Sequence, residues 1–79
     1  MSQDYMDIKT SADRLALLSD RQRDVVALVC SGLSNRATAE ALGVREGTIK
    51  CHLHAIYEKL GVQSRFELIM VLSNRAAAA

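Results

Sequence analysis

The stretch EGTIKCHLHAIYEKL, residues 46–60, has the apolar spacing of one long amphipathic α-helix. It contains no proline, and its one glycine, Gly47, falls in the first turn. Apolar side chains recur at intervals of four, three and four residues, the period of one helical face: Ile49, Leu53, Ile56 and Leu60. Polar side chains recur on the opposite face: Lys50, Cys51, His54 and Glu58. The pattern predicts one buried face and one outward face that suits the edge of a nucleic acid better than a lipid surface.

The composition predicts one small, all-helical domain. The chain has 79 residues, of which 49% are hydrophobic, and it contains no proline, two tyrosines and one phenylalanine. A domain of this size buries only about 60% of its unfolded surface. No apolar run approaches the roughly 20 residues of a membrane span. The N-terminus lacks the basic-then-apolar order of a secretory signal. Two cysteines do not make a disulfide framework. We therefore expect a cytoplasmic protein that does not associate with membranes.

The net charge alone does not indicate a nucleic-acid partner, because it is only +1. The charge is unevenly distributed, however, with a balance of −1 over residues 1–18 and +2 over residues 19–79. Any prediction of nucleic-acid binding must therefore rest on where the basic side chains lie rather than on their sum.

A helix is predicted to begin after Ser19. Ser19 and Gln22 have the spacing of a capping box, in which the hydroxyl and the amide each accept from the other residue's backbone N–H. The helix should end near Ser31, because Gly32 suits a left-handed stop. Its inward side chains are predicted to be Val25, Leu28 and Val29.

A shorter helix is predicted over residues 35–42, capped by Ser34 and ended by Gly43. Ala39 and Leu42 should face inward. Only two residues then precede the helix over 46–60, and the first of them, Val44, should pack into the angle between the two helices. Two helices joined by a glycine-led turn of this length have the outline of a helix-turn-helix.

The last predicted helix covers residues 65–74 and carries apolar side chains on more than one face. Ser64 and Glu67 have the spacing of a second capping box. A helix at the edge of a small domain cannot bury all of these side chains internally, so part of it is predicted to form a homodimer contact. The predicted interface residues are Leu68, Val71 and Leu72. The alternative is a loose terminal helix with scattered exposed apolar side chains.

The expected organisation is an N-terminal arm or linker over residues 1–17, a helical domain over 18–75 and a tail over 76–79. Ile8, Ala12 and Leu15 have the spacing of one face of a short helix, so the arm is expected to be flexible or partly helical.

The chain resembles the LuxR/FixJ/GerE-type helix-turn-helix domain of bacterial transcriptional regulators, over residues 18 to about 72. The matching motifs include Leu18-Ser19-Asp20-Arg21, Gly32-Leu33-Ser34-Asn35, Leu42-Gly43-Val44, Thr48-Ile49-Lys50 and Lys59-Leu60-Gly61-Val62, followed by Ser64-Arg65 and Glu67. The resemblance implies an all-α, four-helix domain whose third helix enters the major groove of DNA and whose last helix dimerises. Larger members, including response regulators, carry a receiver or ligand-binding domain on the N-terminal side.

The chain departs from the family's usual pattern in three places. The family usually has Glu at the position of Gln22, Glu-Ile-Ala at positions 37–39 and often Ser at the position of Arg45. Ala37 removes a capping box from the second helix, since its methyl group accepts no hydrogen bond. Arg45 leaves the helix over 46–60 without the usual side-chain acceptor at its start.

The base-contacting side chains are predicted to be Lys50, Cys51 and His54, because the matching positions of the family tend to face base edges. A major groove admits an α-helix, and Lys50 can donate to O6 and N7 of guanine. His54 lies one turn later and can donate to a base or a phosphate, while Cys51 is small enough to lie against a thymine methyl group. Cys51 is more simply a small contact residue than a redox switch, and Cys30 more simply a buried small hydrophobe.

A second set of side chains is predicted to contact phosphate. Thr48 and His52 are assigned by resemblance, and the start of the second helix favours an anion. The full set is Ser34, Asn35, Arg36, Arg45, Thr48, His52, Lys59 and Arg65. Each charged member has an alternative role as a solvated surface charge. Arg65 has the further alternative of pairing with a carboxylate, and Asn35 that of a structural hydrogen bond. A dimer that neutralises about six phosphates should show a slope of log K against log salt of about −5.

Three other functions remain open from the sequence. The first is the promoter-binding domain of a sigma factor, with RNA polymerase as partner. The second is a protein-interaction module that kept the fold without DNA binding. The third, an enzyme or metal protein, is disfavoured, since His52 and His54 point to different faces of a helix and no phosphate-binding glycine loop or nucleophile setting is present. We therefore expect no catalytic residues, no metal and no cofactor.

Overall fold

The computed structural model describes residues 10–73 and contains five α-helices within them. They are α1 (Ser11–Ala16), α2 (Asp20–Cys30), α3 (Asn35–Leu42), α4 (Glu46–Leu60) and α5 (Arg65–Leu72). The predicted all-α fold is confirmed, and no strand occurs in the described part of the chain. Residues 1–9 and the tail over 76–79 lie outside the described residues. No helix within residues 10–73 has the length and apolar character needed to cross a membrane.

The core is built around α4, which packs mainly against α3 and α2. Ile49 and Ile56 have no exposed surface and Leu53 is 4% exposed, so the predicted inward face is buried. Leu60, the last member of that face, is only half-buried at the edge of the core. The buried apolar residues are Leu18, Val25, Val26, Val29, Ala39, Ile49, Leu53, Ile56, Val62 and Leu68.

The inward faces of α2 and α3 differ in detail from the prediction. Val25, Val29 and Ala39 are buried as predicted, but Leu28 and Leu42 are only half-buried. Instead Val26 and Thr38 complete the buried faces. The predicted position of Val44 against the core is observed, since it packs there partly buried. Gly43 ends α3 with φ +70°, and the N–H of Val44 then donates to the carbonyl of Ala39 at 3.0 Å, which closes the turn before α4.

The capping box that begins α2 is present as predicted. The backbone N–H of Gln22 donates to Ser19 Oγ at 3.2 Å, and the N–H of Ser19 donates to Gln22 Oε1 at 2.9 Å. The second predicted capping box, at the start of α5, is only half formed. The N–H of Glu67 donates to Ser64 Oγ at 3.1 Å, but Glu67 Oε1 accepts from the N–H of Gln63 at 2.7 Å instead of from Ser64. The Glu67 carboxylate therefore satisfies the amide one residue before the cap.

The N-terminal arm is partly helical, and its helix is attached to the domain. Thr10 caps α1 by accepting from the N–H of Asp13 at 3.0 Å. Ser11 Oγ donates to the carbonyl of Leu72 at 2.9 Å, and Leu15 packs against the core. Residues 11–16 therefore form a fifth helix, which packs against α5.

The predicted dimer interface includes one residue that the fold places elsewhere. Leu68 has no exposed surface, because it lies in the core of its own chain, so it cannot contact a partner while the domain is folded. Val71 and Leu72 are half-buried beside the core. The exposed apolar side chains of α5 are Phe66 at 71% and Met70 at 55%. The helix ends at Leu72, and the predicted end at residue 74 lies outside the described residues.

Thr38 is fully buried, and its Oγ1 atom has no hydrogen-bond partner. A buried hydroxyl without a partner costs about 1–3 kcal/mol. We therefore expect Thr38→Val to raise the free energy of unfolding by about 1 kcal/mol, since valine fills the same volume with a methyl group. Urea denaturation of the two proteins measures the difference. Thr48→Val, at an exposed threonine, is the control and should change stability by less than about 0.5 kcal/mol. A destabilised Thr38→Val protein would contradict the prediction.

Candidate nucleic-acid interface

The three predicted base-contacting side chains lie together on the exposed side of α4. Lys50, Cys51 and His54 are all exposed, while Ile49 and Leu53 beside them in sequence are buried. Because side chains three and four residues apart share a helix face, these three form one ridge. We call Lys50, Cys51, His54 and Glu58 the outer ridge of α4. Its exposure is what a groove contact requires, and the contact itself stays a prediction.

The start of α4 has no side-chain cap. Arg45 occupies the N-cap position with extended backbone, and its side chain accepts no hydrogen bond from the first turn. This absence is what the sequence predicted for arginine at that position. Arg45 and Thr48 are both exposed, whereas His52 is half-buried. The first turn of α4 therefore offers a basic and a hydroxyl side chain to solvent.

Two of the predicted phosphate contacts are instead engaged with each other. Arg65 Nη1 donates to Asn35 Oδ1 at 2.9 Å, and Arg65 Nη2 donates to the carbonyl of Leu33. These bonds attach the start of α5 to the turn before α3. The alternative pairing of Arg65 with a carboxylate is wrong, because its acceptors are an amide and a carbonyl oxygen. The structural role considered for Asn35 is the one observed.

A third predicted phosphate contact also binds within the domain. Lys59 Nζ donates to Gln22 Oε1 at 2.8 Å, so this amide oxygen accepts both from the capping-box N–H and from α4. The family usually has glutamate at this position. Gln22 thus keeps a side-chain oxygen as the acceptor but carries no charge. The bond joins the end of α4 to the first turn of α2.

The remaining predicted phosphate contacts lie around the start of α3. Ser34 Oγ accepts from the N–H of Ala37 at 3.0 Å and so caps the helix, without the reciprocal bond that a glutamate at position 37 would supply. Arg36 Nε lies 3.7 Å from Glu40 Oε2, and both side chains are more than 70% exposed. A pair this exposed contributes about 0–1 kcal/mol and leaves the guanidinium free to exchange partners.

The two cysteines have different surroundings. Cys51 is exposed on the outer ridge. Cys30 is half-buried, so the prediction that it is a buried residue is only partly right. It lines an open apolar cavity of about 230 Å³ together with Leu15, Arg23, Val26, Ala27 and Leu72. Burial raises the pKa of the Cys30 thiol, and the charge of Arg65 acts in the opposite direction. Cys30 therefore stays protonated at neutral pH.

Sequence reasoning missed the partners that hold the site in place. The bonds of Lys59 to Gln22 and of Arg65 to Asn35 join residues 37 and 30 positions apart. No local pattern encodes such separations. Glu58, whose Oε2 lies 3.5 Å from His54 Nε2, was visible only as a member of the outward face. Residues 10–73 contain no cluster of three or more His, Cys, Asp and Glu side chains that could hold a metal ion.

Comparisons with known proteins give one consistent result. The model of the family described as bacterial regulatory proteins, luxR family, matches residues 16–72. The chain is 37% identical over 59 residues to YhjB of Escherichia coli (strain K12), whose name assigns it provisionally to the HTH-type transcriptional regulators. That match covers 75% of this chain and 30% of YhjB.

A second relative is the HTH-type transcriptional regulator MalT of Vibrio parahaemolyticus. It is 38% identical over 61 residues, which is 77% of this chain and 7% of MalT. The chain thus spans 30% or less of the length of these two curated relatives. No solved structure matches the chain.

The guanidinium of Arg65 makes two hydrogen bonds that attach α5 to the turn before α3. We expect Arg65→Ala to lower the free energy of unfolding by about 1–3 kcal/mol, because two acceptors lose a charged donor. Thermal and urea denaturation measure the loss. Arg36→Ala is the matched control, since Arg36 pairs with the exposed Glu40 on the surface of α3, and it should change stability by less than about 0.5 kcal/mol. Equal effects of the two substitutions would contradict a structural role for Arg65.

Proposed function

The chain belongs to the luxR family of bacterial regulatory proteins, and from this premise we propose that it regulates transcription by binding double-stranded DNA sequence-specifically through α4. The observation that carries the proposal is the outer ridge. It lies on a helix of 15 residues, about 22 Å long, whose opposite face is fixed by the core. A major groove about 12 Å wide admits such a helix.

The chemistry of the ridge fits base edges. Lys50 supplies a charged donor for guanine O6 or N7, and His54 supplies a ring nitrogen one turn later. Between them Cys51 presents a small side chain that permits close approach. We propose these three side chains as the base contacts, with Glu58 completing the ridge.

The phosphate contacts that we propose are those whose side chains make no bond to a distant part of the chain. Arg45 and Thr48 lie exposed at the start of α4, and Ser34 and Arg36 lie exposed at the start of α3. His52 is half-buried and remains a candidate at the side of α4. Lys59, Asn35 and Arg65 would have to leave internal partners to contact phosphate, so we assign them to positioning instead. A dimer with about six such contacts would have a salt slope of about −5.

We propose that DNA binding involves a homodimer formed through α5. The support is the exposure of two large apolar side chains, Phe66 and Met70, which lie four residues apart and so share one face. Val71 and Leu72 can contribute only their exposed edges, and Leu68 contributes none. RNA polymerase remains a candidate further partner.

The decisive experiment is selection of bound sequences from a random duplex pool at two salt concentrations. A palindromic motif supports sequence-specific binding by a dimer. Uniform recovery would leave only non-specific binding, and no recovery would favour the protein-interaction module. A sigma-factor-like domain would need RNA polymerase to retain DNA, whereas the proposed regulator binds DNA alone.

Lys50→Ala tests the groove contact directly. We expect it to weaken binding to the selected duplex by about 5- to 150-fold, because one good base contact contributes about 1–3 kcal/mol of discrimination. Fluorescence anisotropy with a labelled duplex measures the change. Arg21→Ala is the charge-matched control, since Arg21 is exposed on α2 and lies 3.9 Å from Asp24. If both substitutions weakened binding equally, the loss would be one of net charge and base contact by Lys50 would be wrong.

Phe66→Ser tests the dimer. We expect it to leave the free energy of unfolding within about 0.5 kcal/mol, because the side chain is 71% exposed, and to weaken binding to a palindromic duplex. Sedimentation with and without DNA should show the shift from dimer to monomer. Leu17→Ser, at an apolar side chain that is 43% exposed outside α5, should leave the assembly unchanged. A wild-type protein that stays monomeric on its palindrome would rule the dimer out.

A further inference from the structure

The outer ridge of α4 ends in a carboxylate beside an imidazole. Glu58 follows His54 by one turn, and Glu58 Oε2 lies 3.5 Å from His54 Nε2. Both side chains are more than 70% exposed, so a rotamer adjustment of about half an ångström would bring them to hydrogen-bond distance. Lys50 lies one turn before His54 on the same ridge. The outer ridge therefore presents an ammonium, an imidazole and a carboxylate at successive turns.

The carboxylate of Glu58 favours one form of the neutral imidazole. A carboxylate only accepts hydrogen bonds, and the neutral ring carries one N–H and one lone pair. With its Nε2–H directed at Glu58, His54 presents Nδ1 as an acceptor. On the neighbouring helices Arg36 pairs with Glu40 and Arg21 with Asp24, while Lys59, on α4 itself, bonds to Gln22. Among the ion pairs of residues 10–73, Glu58 is the partner of His54.

We propose that Glu58 is a positioning residue that favours one tautomer of His54, so that His54 preferentially selects a base with an amino group in the major groove. The bases that carry such a group are cytosine, at N4, and adenine, at N6. Guanine and thymine present acceptors at the same depth of the groove, and an Nδ1 lone pair repels them. The outer ridge would thus prefer guanine as the base that Lys50 contacts, and cytosine or adenine as the base that His54 contacts. This inference rests on the proposed function, because it concerns which base α4 selects.

The first test compares the sequences that are selected at pH 8. His54→Ala identifies the base pair that His54 contacts, as the position that loses its preference. Wild-type protein should select one of the two orientations of that base pair, because the base on the contacted strand must carry the amino group. Glu58→Gln should reduce that preference by about 2- to 5-fold, because an amide also donates and so admits the other tautomer, while an exposed pair contributes at most about 1 kcal/mol. Glu40→Gln, at an exposed carboxylate on α3, is the matched control and should leave the preference unchanged.

The second test needs no DNA. Imidazole ¹⁵N chemical shifts of the free protein at pH 8 report the tautomer, and the Nε2–H form of His54 should be more populated in wild type than in Glu58→Gln. Equal populations would overturn the role of Glu58 whatever the DNA result. Equal recovery of both orientations of that base pair, or a preference unchanged by Glu58→Gln, would overturn the inference alone. Uniform recovery by wild-type protein would instead overturn the proposed function, and the inference with it.

Discussion

The burial of three aliphatic side chains on one side of α4 fixes the rotation of that helix about its own axis. Ile49 and Ile56 have no exposed surface and Leu53 has 4%. Burying each such side chain contributes roughly 1.5–3 kcal/mol, so a turn of α4 that exposed them would cost most of the stability of a small domain. Because the rotation of α4 also sets the direction of its opposite face, the outer ridge points to solvent without needing contacts of its own. Its geometry is a consequence of how the core packs.

The basic side chains divide into two groups, those that bond within the domain and those that remain exposed. Lys59 and Arg65 donate to Gln22 and Asn35, and these bonds attach both ends of the helix-turn-helix to its neighbours. Lys50, Arg36 and Arg45 remain exposed. The basic surface open to a nucleic acid is therefore smaller than the number of basic residues suggests. A domain with a net charge of only +1 must then depend on where its few free cations lie.

The parts of the fold that local sequence encodes were predictable, and the parts that depend on distant partners were not. The 3.6-residue period and the glycine stops located α2 to α5, and the Ser19–Gln22 spacing located a capping box that is present. The exposure of Lys50, Cys51 and His54 followed from the same period. Leu68 was misassigned to the dimer interface, because α5 carries apolar side chains on more than one face. Its periodicity therefore does not indicate which face packs against the core. The attachment of α1 was missed, since it rests on Ser11 meeting Leu72 across 61 residues of chain.

That bond between Ser11 and the carbonyl of Leu72 brings the two ends of the described chain side by side. A domain with adjacent termini can be spliced into a surface loop of a host protein without stretching the host, and it tolerates circular permutation. The chain therefore enters and leaves the five-helix domain at neighbouring points on its surface. A host protein joined to the domain through these two points would therefore be connected to it on one side only.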